Sequence, residues 1–330
     1  SIKQDLYRRD FTINTMAICL DRGRYGELLD YYGGERNIRE KRIRVLHSLS
    51  FVEDPTRILR AVRFEQRLGF VIETRTEELI DDALDLLDDV SGERLRNELY
   101  LLLGEAEPER SLERLDRMGV LSHLHPSLRY SQETSQLFVR LREWFHAWPS
   151  EPHIQKPGKG EEQYDEPDSE EMRAPTLSLC YLALLTSPMG SEQVASLVEH
   201  LRIPQDDARL LQQTAQLGDS LTQLKASAML RSAVYHLLHP FSREARFVLS
   251  VLTDSSLVRE RLDLYEQELS QVALHIDGYY LKSLGLPPGP VYGEILEKVR
   301  DALLDQQITT EEEERGLAQE LVEASHRPQK

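Results

Sequence analysis

From about residue 49 onward, apolar residues recur three and four positions apart in one segment after another, a rhythm that permits little besides packed helices. Residues 55–67 carry Ile58, Leu59, Val62 and Phe64 with arginines between them, and 76–87 place Leu79, Ile80, Ala83, Leu84, Leu86 and Leu87 at the same spacing. The pattern predicts further helices over 93–103, 109–118 (stopped by Gly119), 132–148, 175–185, 191–201, 204–224, 229–238, 242–252 and 257–269. A last helical unit follows over 276–324, where Thr310 and Glu313 form a capping box. The stretch 149–175 is rich in proline and acid and has no apolar period, so it is expected as an acidic disordered loop inside the helical body.

The first 48 or so residues do not share this rhythm. Residues 11–20 are an apolar segment that suits a strand or a buried helix. Gly23 and Gly26 flank a hairpin-like turn, 27–32 read as a strand, and 43–46 as another. Gly33-Gly34 breaks the chain before Glu35-Arg36-Asn37-Ile38, a stretch expected to be mobile. These strands are too few to cover a sheet, so the segment is expected to be the end of an α+β domain whose start is missing.

Composition narrows the function classes. The 330 residues include two cysteines, too few for a disulfide framework, and both Cys19 and Cys180 read as buried thiols in a reducing compartment. The longest apolar stretch, 177–185, is too short to cross a bilayer, and the opening Ser1-Ile-Lys-Gln-Asp has no signal-peptide pattern. The expectation is a cytoplasmic protein without a membrane partner. A net charge of -17 argues against a nucleic-acid binder working through bulk positive charge, yet that charge is unevenly spread. Residues 1–75 hold 15 Lys+Arg against 11 Asp+Glu, a net of +4, and the remainder carries all of the acidity. A polyanion would meet the arginine-rich first quarter first.

Three segments carry chemistry: Arg8-Arg9-Asp10-Phe11-Thr12-Ile13-Asn14-Thr15-Met16-Ala17, then Glu53-Asp54-Pro55-Thr56-Arg57-Ile58-Leu59-Arg60-Ala61-Val62-Arg63-Phe64, then Ser91-Gly92-Glu93-Arg94-Leu95-Arg96-Asn97-Glu98-Leu99. Their order and spacing resemble the class II tRNA nucleotidyltransferases, the CCA-adding and A-adding enzymes, together with bacterial poly(A) polymerases. The resemblance is dense over 1–130, thins over the body, and returns weakly at Ile276-Asp-Gly and Gly285-Leu-Pro-Pro-Gly-Pro. It implies a mostly α protein: a truncated α+β nucleotidyltransferase head remnant (1–48), then an all-α neck selecting the nucleotide base (49–128), body (129–270) and tail (271–330).

The neck motif has a direct chemical reading. On a helix beginning at Pro55, Asp54 and Arg57 would share one face. A carboxylate only accepts hydrogen bonds and a guanidinium only donates them. Cytosine and adenine each offer an amino donor beside a ring-nitrogen acceptor, whereas uracil and guanine offer a carbonyl beside an N–H. A planar Asp/Arg pair therefore admits C and A and rejects U and G, and the family is understood to use it in that way. The plainer alternative is that Asp54 caps a helix with proline at its first position, while Arg57, Arg60 and Arg63 form a solvated strip.

The resemblance also implies that Arg9 and Asp10 touch the phosphates and ribose of an incoming nucleotide, with Asp10 accepting from the 2′-OH. It directs Arg60 at the triphosphate. Arg8, Asn14 and Arg63 would support this region, and Arg94 with Glu98 would lock the neck helices together. The substrates implied are ATP and, second, CTP, with Mg²⁺ in the intact enzyme, and the partner is a tRNA 3′ end and its acceptor arm. The reaction is template-independent addition of C and/or A.

One departure stands out. The family holds its metals with an Asp-x-Asp upstream of the Arg-Arg-Asp motif, and this sequence has none, so no metal ligand is assigned and the fragment alone is expected to be inactive. A poly(A) polymerase fragment and a non-catalytic RNA-binding or scaffold protein remain as alternatives. His123 and His125 read as loop residues and not as ligands. Tyr279, Tyr280, Trp144 and Trp148 read as packing residues more than as stacking platforms.

Overall fold

The computed structural model describes residues 1–145 and 177–325. The acidic segment 149–175, Trp148, the end of the expected 132–148 helix and the start of the expected 175–185 helix lie outside those residues. Two compact units divide the chain, Ser1–Ala215 and Gln216–Lys330.

The first unit opens with α1 (Ile2–Tyr7), a single 3-10 turn (Thr12–Asn14), β1 (Met16–Ile18) and β2 (Leu28–Asp30). The apolar 11–20 segment thus divides between a turn and a strand. β1 and β2 pair antiparallel with Ala17 opposite Leu29, closing the hairpin expected around Gly26. The Gly33-Gly34 stretch is ordered, which corrects the expectation of mobility. Asp30 accepts from the Gly34 and Glu35 amides at 2.8 and 3.0 Å and thereby caps α2 (Gly34–Arg39), whose buried Asn37 donates to Thr12 Oγ1 at 2.8 Å.

β3 (Arg42–Ile43) leads through α3 (Ser50–Glu53) into α4 (Arg57–Leu68), and β4 (Val71–Ile72) then pairs parallel with β3. Gly69 permits this return: at φ +62 it ends α4 in a left-handed conformation that other residues adopt at a cost. The expected 76–87 helix is shorter and earlier than its apolar pattern suggested, as α5 (Thr74–Asp81), and a 3-10 stretch over Leu84–Asp89 replaces its second half. Three aspartates among those last residues are poor helix formers.

Next come α6 (Gly92–Leu103), α7 (Pro108–Arg117), α8 (Val120–Leu124), α9 (Gln132–Phe145), α10 (Leu177–Thr186), α11 (Ser191–His200) and α12 (Gln205–Leu224), the last running across the division between units. Phe11, Phe51, Ile58, Leu59, Leu95, Leu99 and Leu102 form the core beneath the motifs, with Phe64 edge-on to Phe11 at 5.9 Å. Arg114 of α7 ties Glu65 (3.2 Å) and Glu77 (2.5 Å), while Glu65 also accepts from the Ile72 amide, so one buried carboxylate joins α4, α7 and β4. α10 is buried all round from Leu179 to Thr186, which explains its uninterrupted apolar sequence.

The second unit contains α13 (Arg231–Leu238), α14 (Arg243–Leu252), α15 (Ser256–Gln267), α16 (Gly278–Ser283), α17 (Val291–Leu304) and α18 (Glu311–Ser325). Thr310 and Glu313 make the reciprocal bonds expected of a capping box. Ile276, Leu281, Ile295, Val299, Ala318 and Val322 form the core of its last three helices.

Several packing assignments change. Cys180 is buried but Cys19 is only half-buried, at the end of a two-stranded sheet that shields one side. Tyr280 packs on the tail core, whereas Tyr279 is 83% exposed because the first turn of α16 turns it outward. His123 lies in α8 beside Asp88 and not in a loop; His125 is buried and bonded to Ser196 Oγ and the Ser127 amide. Trp144 is half-buried, with the Arg140 guanidinium 5.9 Å above its ring. Among the described residues no helix is long and apolar enough to cross a membrane.

Candidate functional site

The three motifs converge in the first unit. Arg8 and Arg9 end α1, Asp54 joins α3 to α4, Arg57, Arg60 and Arg63 lie along α4, and Arg94 and Glu98 lie along α6.

Asp10 is almost wholly buried and accepts four hydrogen bonds: from the Phe11 amide (3.0 Å), Asn14 Nδ2 (2.9 Å), Arg60 Nε (3.0 Å) and Arg60 Nη2 (2.5 Å). Two carboxylate oxygens offer about four lone-pair sites, so protein donors use its full capacity. Burial pushes the Asp10 carboxyl up, but Asn14, the Arg60 charge and the Phe11 amide outweigh it and hold it below the ordinary range. Burial likewise pulls Arg60 down, and Asp10 and Glu98 more than offset this.

A ladder of alternating charge continues from there. Arg60 Nη1 reaches Glu98 Oε1 at 3.3 Å, Arg63 pairs with Glu98 (3.6 Å) and Glu105 (3.5 Å), and Arg67 closes on Glu105 at 3.8 Å. The three arginines are therefore not a solvated strip, since Arg63 is nearly buried and Arg60 two-thirds so. Glu105 escaped the sequence reading, although acids seven apart opposite arginines spaced three and four apart were a usable signal.

Asp54 differs from its expected helical position. It is extended (φ -149, ψ 94), Pro55 and Thr56 form a turn, and α4 begins at Arg57, two residues later than anticipated. Asp54 Oδ1 accepts from the Thr56 amide (3.1 Å), Thr56 Oγ1 (2.6 Å) and Arg94 Nη2 (2.7 Å). The helix-capping alternative does not hold: Thr56 is the residue that precedes α4, and the amide Asp54 accepts from belongs to the turn and not to the helix. Arg57 is buried and spends its guanidinium on backbone: Nη1 donates to Ser50 O and Nη2 to Arg8 O, each at 3.1 Å. Asp54 and Arg57 are linked directly through backbone, Arg57 N to Asp54 O at 3.1 Å, while their side chains take separate partners. Thr56 is the other residue missed, and its position two after Asp54 was the signal.

At the rim, Arg8 and Arg9 are open to solvent and pair with Asp5 at 2.8 and 3.7 Å. Asn14 donates to Asp10 through Nδ2. Arg94 reaches Asp54 and Glu98 reaches α4, so the two join α6 to the preceding motif. Among the described residues no group of three or more His, Cys, Asp or Glu could hold a metal ion.

Residues 1–44 match the family described as "Poly A polymerase head domain", and 69–131 match "Probable RNA and SrmB- binding site of polymerase A". The first unit thus carries two segments that match models of the poly(A) polymerase class. The chain is 37% identical to the A-adding tRNA nucleotidyltransferase of Geobacter sulfurreducens over 98% of its own length, but spans only 36% of that relative. It is 32% identical to the multifunctional CCA protein of Xanthomonas campestris, covering 93% of this chain and 78% of that one. It therefore belongs to the tRNA nucleotidyltransferase family that includes the A-adding and CCA-adding enzymes. Among solved structures, the Thermotoga maritima CCA-adding enzyme complexed with tRNA superposes with a TM-score of 0.71 at 30% identity, covering 98% of this chain and 74% of that one. A CCA-adding enzyme complex with ATP gives 0.74 at 30% identity, covering 100% and 73%.

Proposed function

We propose that this chain is the base-selecting and RNA-holding part of a template-independent nucleotidyltransferase that adds C and/or A to the 3′ end of tRNA. The observation that carries this reading is the convergence of the Arg8-Arg9-Asp10, Asp54–Arg57 and Arg94–Glu98 segments on one side of α4 and α6. Within it, 1–48 is head, 49–128 neck, 129–270 body and 271–330 tail. ATP and CTP are the substrates, and the tRNA acceptor arm is the partner.

Asp54 offers the nucleobase an acceptor, and Arg57, with N–H groups beyond the two given to backbone, offers the donor. Exposed Arg9, supported by Arg8, meets the triphosphate. Asp10 already accepts its full complement, so it reads the ribose 2′-OH by exchanging one Arg60 bond for it, which frees that guanidinium edge for phosphate oxygens. A wrong base leaves polar groups unpaired at roughly 1–3 kcal/mol each.

The test is incorporation of each of the four nucleotides onto tRNA by the full-length protein. Asp54→Ala is expected to reduce the preference for A and C over G and U by about tenfold or more while tRNA affinity stays unchanged. Unaltered nucleotide preference would overturn base selection by this pair.

A further inference from the structure

The strongest unexplained feature of the site is the way one oxygen of Asp54 is crowded while the other is left alone. Oδ1 takes three donors, from Thr56 N, Thr56 Oγ1 and Arg94 Nη2, and no hydrogen bond from the described residues reaches Oδ2. Three donors on one oxygen fix both the side-chain rotamer and the plane of the carboxylate. We propose that Arg94, acting with Thr56, is a positioning residue that pins Asp54 so that Oδ2 alone faces the incoming base and sets its specificity. This rests on the reading of Asp54 as base-selecting.

The elements are built for such a task. Thr56 is buried, so its two donors cannot swing away. Arg94 is 53% exposed and its ion pair adds little to stability, yet the helix that carries it is anchored along its length. Gly92, two residues earlier, lies against His200: a Cβ there would be 1.8 Å from the His200 carbonyl oxygen. Arg96 donates to the Arg202 carbonyl, and Glu98 is held by Arg60 and Arg63. The base of the Arg94 side chain is thus fixed relative to α4, and its guanidinium acts as a stop for the Asp54 carboxylate.

The chemical consequence concerns rejection more than acceptance. A pinned carboxylate offers one acceptor at one place, which suits the amino group of C or A. A carboxylate free to rotate offers either oxygen over a range of positions, including those that meet the ring N–H of U or G. Loss of Arg94 therefore relaxes discrimination instead of abolishing addition.

The experiment measures kcat and KM for ATP, CTP, GTP and UTP on tRNA with full-length Arg94→Gln, Arg94→Lys, Thr56→Val and Asp54→Ala, alongside Tm. Arg94→Gln is expected to raise misincorporation of G and U relative to A and C by roughly tenfold, expressed mainly in KM for the wrong nucleotide, with Tm little changed. Arg94→Lys, which keeps the charge but not the planar fork, should recover part of the discrimination. Thr56→Val removes a donor from the same oxygen and should relax selection in the same direction, which keeps the proposal exposed if the Arg94 variants fold poorly. An equal fall in rate for all four nucleotides, or a lowered Tm with the ratio intact, would overturn it in favour of a purely structural strut. If Asp54→Ala relaxes selection and the Arg94 and Thr56 variants do not, this proposal alone fails. If Asp54→Ala also leaves selection intact, the base-selecting reading fails with it.

Discussion

Asp10 sits where packing surrounds a single carboxylate with protein donors. The Arg-Arg-Asp motif marked it for a ligand; folding gave it Arg60, Asn14 and the Phe11 amide. Its carboxyl is held below the ordinary value of 3.8, so the unfolded chain binds its proton more readily than the native state does. The stabilisation is fully present above the unfolded value and is lost as pH falls through the lowered native one. Asp10→Asn is accordingly expected to cost about 1–3 kcal/mol at neutral pH, measured by urea unfolding. That difference should shrink progressively once the pH drops below about 4. A cost that stays constant down to pH 2 would show that the pair with Arg60 contributes no net charge interaction. For Asp54 and Arg57, Asp-Pro marked a break in the chain before α4, whereas the burial of Arg57 and the separate partners of the two side chains came only from packing.

At the scale of elements, α6 links the most distant parts of the first unit. One face meets α4 through Glu98, while Gly92, Arg96 and Tyr100 meet the chain at His200, Arg202 and Asp207. Gly92→Ala would press a methyl group into backbone that has no flexible side chain to yield, and overpacking of this kind costs about 1–3 kcal/mol or more. The expected outcome is a lower Tm by differential scanning calorimetry together with reduced nucleotide discrimination, because the shift carries Arg94 with it. The longer helices were readable from apolar period, since burial of one face imposes it, while the short α1, α2, α3 and α8 were not. Helix ends were less readable: α4 started after a turn and α5 stopped early, because caps and aspartate-rich 3-10 turns act locally against the period. The ordered α2 was missed because its cap, Asp30, sits ahead of a glycine pair that by itself reads as a break.

Across the whole molecule, charge separates the arginine-rich first quarter from the rest. A net of -17 overall coexists with exposed arginines at the end of α1, where a polyanion meets little opposition beyond Asp5. Binding of tRNA should weaken with added salt, and the double variant Arg8→Ala/Arg9→Ala should lower the slope of log K against log salt by about 1–2. Fluorescence anisotropy over a salt series measures this directly; an unchanged slope would remove both arginines from the phosphate path.

What the sequence by itself determined was local in origin: the helical rhythm, the hairpin near Gly26, the capping box at Thr310, the family motifs and the uneven charge. Each depends on residues a few positions apart, whose relation survives in any compact arrangement. The tertiary structure alone decided which donor meets which acceptor. Arg60 reaches Asp10 across 50 residues and Arg94 reaches Asp54 across 40. Such pairs form only where packed helices bring the groups into range, and a buried carboxylate must accept from whichever donors the packing leaves beside it.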